Sequence, residues 1–232
     1  MLVRNPAQRC LRPNHASGHA GGLRHLRNVN FGEQEEIANV LLLACCYQEV
    51  FTGGEGADFR LKNIQSQGFG DFDDVIAGVD MLVQQGIADP DRLGVMGWSY
   101  GGFLTAWVIG HSNRFKAASV GAPATDWMTY YAQSDGPRST LWTYFGGSPW
   151  DKAANYNRHS PRSGIANIRT PSLLQVGALD INHNSEIYWS LTDRNIPVEY
   201  VVYPREPHGF IEPEHQRDVM ESNLRWFLRW LR

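Results

Sequence analysis

The sequence predicts an α/β fold, a mostly parallel sheet with helices on both faces. Three observations carry this. Short apolar runs of strand length alternate with segments whose apolar residues recur at helical spacing. Those runs are continuous rather than alternating, as in strands buried on both sides. Turn signals such as Asp89-Pro90-Asp91 separate them.

Each element has its own justification. Val40 to Tyr47 has the length of a buried strand. From Phe72 to Gln85 the residues Phe72, Val75, Ile76, Val79, Leu82 and Val83 recur at helical spacing. Asp71, Asp73 and Asp74 suit the positive end of that helix, and Gly86 ends it. Leu93 to Gly97 predicts a strand, Gly101 to His111 a helix, and Lys116 to Gly121 the next strand. Residues 124–160 are rich in Trp and Tyr and read as short helices and loops inserted between strands. Ser172 to Val176 and Val198 to Tyr203 predict strands, Glu186 to Asp193 a helix, and His215 to Leu231 a final amphipathic helix.

The first residues differ. Arg4, Arg9, Arg12, Arg24 and Arg27 alternate with His15, His19 and His25, and no acid precedes Glu33. Residues 1–35 are therefore expected to be a poorly ordered basic segment, ahead of one domain over 36–232. They do not read as a strand-rich start, so the sheet is expected to be incomplete at its N-terminal strands. No apolar core of a secretory signal is visible there.

Composition narrows the function classes. A chain of 232 residues suits one large α/β domain. A net charge of −3 argues against a nucleic-acid partner. No apolar run approaches the ~20 residues that span a bilayer, so no membrane association is expected. Three cysteines, with Cys45 and Cys46 adjacent, form neither a disulfide framework nor a zinc pattern. They are expected to be buried thiols in a reducing, cytoplasmic compartment. The histidines form no metal-binding motif such as H-E-x-x-H, and no metal or cofactor is expected. Gly53-Gly54-Glu55-Gly56 lacks the Lys and Ser/Thr of a phosphate loop and reads as a turn.

The chemistry centres on Gly97-Trp98-Ser99-Tyr100-Gly101, a G-x-S-x-G run. A predicted strand precedes it and a predicted helix follows. That context predicts a sharp strand-to-helix turn that exposes a strained serine, the nucleophile elbow of an α/β-hydrolase. The glycines stand where side chains would collide. The N–H of Tyr100, at the start of the helix, is placed to donate to an oxyanion. A serine nucleophile needs a base, and the base needs an orienting acid. In this fold they follow in the order serine, acid, histidine, on loops after strand C-termini. Asp180 and His208 each follow a predicted strand by a few residues, in that order. Asp126, after the strand that follows the elbow, is the alternative acid. His183 reads as a polar loop residue or a substrate contact. His215 reads as solvated, and His111 and His159 as surface or loop residues.

Around Gly-Trp-Ser-Tyr-Gly-Gly-Phe the chain resembles the prolyl oligopeptidase family, in its dipeptidyl-peptidase and acylaminoacyl-peptidase branches. The resemblance runs collinearly from Ala57-Asp58-Phe59-Arg60 through Asp71-Phe72-Asp73-Asp74-Val75, Asp91-Arg92-Leu93-Gly94, Thr125-Asp126-Trp127 and Tyr144-Phe145-Gly146-Gly147-Ser148-Pro149-Trp150. It ends at Tyr203-Pro204-Arg205-Glu206-Pro207-His208-Gly209-Phe210. It implies a serine peptidase with Ser99 as nucleophile, Asp180 as acid and His208 as base, acting on short peptides. It also implies that Trp127, Tyr130 and Tyr131 lie in the region lining the pocket for the residue before the scissile bond, with an apolar or proline-like preference. Ordinary aromatic packing is the alternative for these residues.

The chain departs from the family in three places. It has no room for the β-propeller that usually precedes the hydrolase domain. Only His19-Ala20-Gly21-Gly22 remotely resembles the family's His-Gly-Gly-Pro-like segment, and Tyr47-Gln48-Glu49-Val50-Phe51 replaces an Asn-Pro-Arg-Gly-Ser segment. Asn182-His183-Asn184-Ser185 replaces the common Arg-Val-Pro run. The first two departures imply a truncated or N-terminally altered catalytic domain whose second oxyanion donor is unidentified. Two other readings stay open: a small-ester carboxylesterase using the same triad, and an inactive or weakly active fragment. The oligomeric state is open as well.

Overall fold

The computed structural model describes residues 61–134, 138–181 and 185–232, and the backbone of 2–4 and 41–45. Among them six strands form one sheet in the order β1 to β6: Leu2–Arg4, Leu41–Cys45, Leu93–Trp98, Ala117–Gly121, Ser172–Gly177 and Val198–Tyr203. Every neighbouring pair is parallel. All strand C-termini therefore point to one end of the sheet, where the connecting loops gather.

Side chains alternate between two apolar layers, as the pleat requires. Leu93, Val95, Ala118, Val120 and Leu174 enter the larger core. That core also holds residues of α1 (Phe69–Gln84), α2 (Tyr100–His111) and α6 (Ser185–Thr192). Their strand neighbours Met96, Ala117, Leu173 and Val201 face the other way, onto Trp226, Phe227 and Leu231 around the C-terminal helix α7 (Pro213–Trp230). Helices thus cover both faces.

Helix α2 is buried from Tyr100 through Gly110. Its apolar residues show no single face because it is surrounded. It lies so close to β4 that a Cβ at Gly102 would stand 2.1 Å from the Gly121 carbonyl oxygen. Between β4 and β5 run three short helices, α3 (Trp127–Gln133), α4 (Arg138–Phe145) and α5 (Ala153–Arg158), and a 3₁₀ turn, Pro161–Asn167. This is the expected aromatic insertion.

Three boundaries differ from expectation for identifiable reasons. Helix α1 starts a turn before Phe72, because Asp71 reaches back and accepts the Gly68 N–H at 3.0 Å. Helix α7 starts at Pro213 rather than His215, with proline in the first turn, where its missing N–H costs nothing. Strand β1 lies within the basic segment expected to lack strands. Leu2–Arg4 pair with Leu42–Ala44, and three residues are too few for a periodic signal. The rest of the basic segment, the side chains of Cys45 and Cys46, the resemblances at 19–22 and 47–51 and the glycine turn at 53–56 lie outside the described residues. Among the described residues, no helix is long and apolar enough to cross a membrane.

Candidate active site

Ser99 sits between β3 and α2 with φ 61° and ψ −120°, a left-handed backbone uncommon for a side-chain-bearing residue. The turn is pinned on both sides. The Ser99 N–H donates to the Gly121 carbonyl at 2.9 Å, and the Ser99 carbonyl accepts the Phe103 N–H at 2.9 Å. The strain is thereby held by the sheet and the helix together.

Strands β5 and β6 supply the other two groups. After β5 the chain turns at Gly177, where the Asp180 N–H donates to the Gly177 carbonyl at 3.0 Å. The Ala178 N–H reaches the Tyr203 carbonyl at 2.8 Å and the Leu179 N–H the Glu206 carbonyl at 2.9 Å. The acid-bearing and histidine-bearing loops are therefore tied backbone to backbone. A Cβ at Gly177 would lie 2.2 Å from the Glu206 carbonyl oxygen, so only glycine permits this approach.

The predicted trio meets. His208 Nδ1 lies 2.7 Å from Asp180 Oδ2, and His208 Nε2 lies 2.7 Å from Ser99 Oγ. With Asp180 ionised, Nδ1–H donates to the carboxylate. Nε2 is then left to accept the serine O–H, the tautomer a general base needs. The Asp180 side chain is 2% exposed and that of His208 44%. The carboxylate is dry while the imidazole is exposed.

A contact that the local pattern did not reveal steadies His208: Trp98 Nε1–H donates to its carbonyl at 3.0 Å. The tryptophan inside the G-x-S-x-G run thus braces the histidine loop. Its only sequence signal is adjacency to the serine. Tyr100 turns its ring inward, and its hydroxyl donates to Asp71 Oδ2 at 2.7 Å and accepts from Asn63 Nδ2 at 3.1 Å.

The alternatives find other partners. Asp126 caps α3, accepting the Met128 N–H at 3.0 Å and the Thr129 hydroxyl at 2.9 Å, and it pairs with Arg162. The carboxylate against His208 is that of Asp180. His159 is buried rather than superficial, bonded through Nδ1 to the Gln67 carbonyl at 2.8 Å. His215 is not solvated: its side chain is 19% exposed and its Nδ1 lies 2.8 Å from Glu206 Oε1. His111 is exposed and bonds the Trp107 carbonyl. His183 lies outside the described residues.

Trp127 is buried, its ring 5.0 Å from that of Phe103 and its indole N–H donated to the His159 carbonyl. Tyr130 is half-buried and packs edge-on against Trp127 at 5.5 Å. Tyr131 accepts the Trp142 indole N–H on its hydroxyl.

Among the described residues, Glu206, Glu212 and His215 bring possible metal-ligand atoms within 4.8 Å of one another. Protein donors already occupy them. Both Glu206 oxygens accept backbone N–H groups, and both Glu212 oxygens accept the Arg205 guanidinium. The cluster therefore reads as an ion-pair network rather than a cation site.

Comparison with known proteins gives the family and the fold. Residues 51–232 match the profile of the prolyl oligopeptidase family. An uncharacterised peptidase of Bacillus subtilis, YuxL, is 31% identical over 183 residues, covering 76% of this chain and 28% of that protein. The acylaminoacyl peptidase of Pyrococcus horikoshii superposes with a TM-score of 0.71 at 28% identity, over 76% of this chain and 30% of its own. An acylaminoacyl peptidase in complex with Z-Gly-Gly-Phe-chloromethyl ketone superposes with a TM-score of 0.69 at 28% identity, over 75% and 30% of the two chains. The chain thus spans less than a third of each of these relatives.

Proposed function

Because this chain belongs to the prolyl oligopeptidase family, we propose that it is a serine peptidase acting on short peptides, with Ser99 as nucleophile, His208 as base and Asp180 as orienting acid. The observation that supports this reading is the continuous contact from Ser99 Oγ through the imidazole to the buried carboxylate.

The reaction is acyl transfer to water. His208 Nε2 takes the Ser99 proton as Oγ attacks the peptide carbonyl carbon. Asp180 holds the tautomer and stabilises the imidazolium that forms. Negative charge develops on the carbonyl oxygen, and the Tyr100 N–H, in the first turn of α2, is the donor proposed to stabilise it. The C–N bond breaks as His208 returns the proton to the leaving amine. Water, deprotonated by the same imidazole, then releases the acyl group from Ser99. Peptide and water balance the reaction without a cofactor. Tyr130, backed by Trp127, serves as a wall of the pocket for the residue before the scissile bond. The relative bound to a peptidyl chloromethyl ketone supports a peptidic substrate class.

A fluorophosphonate probe tests this reading. The wild-type protein should be labelled and Ser99→Ala should not. Equal labelling of both removes Ser99 from the role, and an unlabelled wild type favours the inactive-fragment reading. Aminoacyl-naphthylamide cleavage supports a peptidase, whereas turnover of small esters alone favours the carboxylesterase reading.

A further inference from the structure

We infer that Glu206 is a positioning residue for His208: its carboxylate closes the loop that carries the imidazole, and its carbonyl fastens that loop to the one carrying Asp180. The inference rests on the proposed role of His208 as base.

The Glu206 side chain is fully buried, at 0% exposure, two residues before His208. Oε2 accepts the Ile211 N–H at 2.6 Å, and Oε1 accepts the Glu212 N–H at 2.9 Å and His215 Nδ1–H at 2.8 Å. Those donors lie on the far side of His208 in sequence. The segment from Glu206 to Ile211 is thereby drawn into a closed ring with the imidazole at its crown, anchored to the start of α7. The main chain of Glu206 does the complementary job by accepting the Leu179 N–H, one residue before Asp180. One residue therefore couples the acid loop, the base loop and the final helix.

The chemistry demands a carboxylate. Three donors converge on two oxygens, and an amide in that place would aim its own N–H₂ at backbone N–H groups. Burial pushes the Glu206 carboxyl up, but the Ile211 N–H, His215 and the Glu212 N–H outweigh it and hold the group below its ordinary value. The facing charges are consistent with this. Arg205 engages Glu212 through two bonds of 2.7 Å, which leaves the anion of Glu206 to His215 and the backbone. The carboxylate's partners are Ile211, Glu212 and His215, outside the proposed triad, so its effect on the chemistry passes through the placement of the imidazole.

The test measures fluorophosphonate labelling on the full chain, separating rate from endpoint. Glu206→Gln should label to the same endpoint as wild type but more slowly, by about 30- to 100-fold, as expected for a base displaced by about 1 Å. The same factor should appear in kcat on a chromogenic peptide, with KM little changed. His215→Phe, which keeps a ring against Tyr203 but removes one of the three donors and leaves the loop closure, should slow labelling by a smaller factor, about three- to tenfold. A lower endpoint with a wild-type rate per labelled site would make Glu206 purely structural and overturn the inference, as would wild-type rates in both variants. If Glu206→Gln does not fold, a wild-type labelling rate in His215→Phe alone overturns it. A wild type that does not label fails the proposed function instead, so the two failures are distinguishable.

Discussion

The phenol of Tyr100 donates a 2.7 Å hydrogen bond to Asp71 Oδ2, so the residue that follows the serine is gripped from behind by the first turn of α1. Burial raises the Asp71 carboxyl, and burial and then the Asp71 charge raise the Tyr100 hydroxyl well above its ordinary value. The phenol therefore stays protonated and keeps donating. Tyr100→Phe preserves the ring and removes this bond from a half-buried acid, at an expected cost of about 1–3 kcal/mol in stability. Because the backbone N–H of the same residue is the proposed oxyanion donor, kcat should also fall by about tenfold, part of the loss expected for a donor removed outright. Urea unfolding and steady-state kinetics check the two effects, and an unchanged kcat would detach the phenol from the placement of that N–H.

Gly177→Ala should damage activity more than stability. Its Cβ would stand 2.2 Å from the Glu206 carbonyl oxygen and 2.5 Å from that of Pro207. Backbone atoms cannot swing aside as a side chain can, so the acid and base loops must separate. A separation of about 1 Å between Asp180 and His208 should lower kcat about 100-fold. Activity per folded molecule, with the folded fraction taken from thermal melts, measures the effect. A loss of activity that only tracks the folded fraction would contradict it.

The two candidate acids part company under mutation. Asp126→Ala removes a helix cap and the partner of Arg162, and should cost about 1–2 kcal/mol of stability while leaving Ser99 labelling intact. Asp180→Asn keeps the shape but no longer holds the imidazole in the needed tautomer, and should lower kcat about 10⁴-fold. Similar kinetic losses in both variants would leave Asp180 without its special role.

The contrast between these residues also shows what a linear reading can reach. The meeting of Ser99, Asp180 and His208 was legible because each follows an apolar strand at a fixed place in the fold, and the chain order suggests the roles proposed for them. Strands β2 to β6 were legible as short apolar runs, α1 and α7 from helical periodicity and α2 from its place after the elbow, while β1 was not legible. Glu206, Trp98 and the Tyr100–Asp71 bond were not. Their partners lie in other elements, Trp98 and His208 being 110 positions apart, and no local pattern encodes such a pairing. His159 and His215 were misplaced for the same reason, since a polar side chain in a loop or first helical turn is ordinarily solvated, and burial by distant segments reverses that.

His159 makes stability depend on pH. Its ring is 1% exposed, and its Nδ1–H is committed to the Gln67 carbonyl. The rings of Phe69 and Phe145 pack against it at 5.1 and 5.7 Å. Burial, aided by the charge of Arg158 and opposed by the Gln67 carbonyl, lowers its pKa below the ordinary 6.5. Below pH 6.5 the unfolded chain takes up a proton that the folded chain still refuses, so the unfolded state binds more protons and acidification destabilises the fold. The loss begins near 6.5 and continues until the pH reaches the depressed folded value, at a slope of at most about 1.4 kcal/mol per pH unit. His159→Gln can still donate to the Gln67 carbonyl but carries no titrating group. It should therefore be flatter than wild type between pH 6.5 and 5, even if less stable at pH 7.5. Every other ionisable group is common to both proteins, so the difference between the two curves isolates His159. Urea midpoints at pH 7.5, 6.5, 5.8 and 5.0 supply the comparison, and parallel curves would remove His159 as the source of the acid sensitivity.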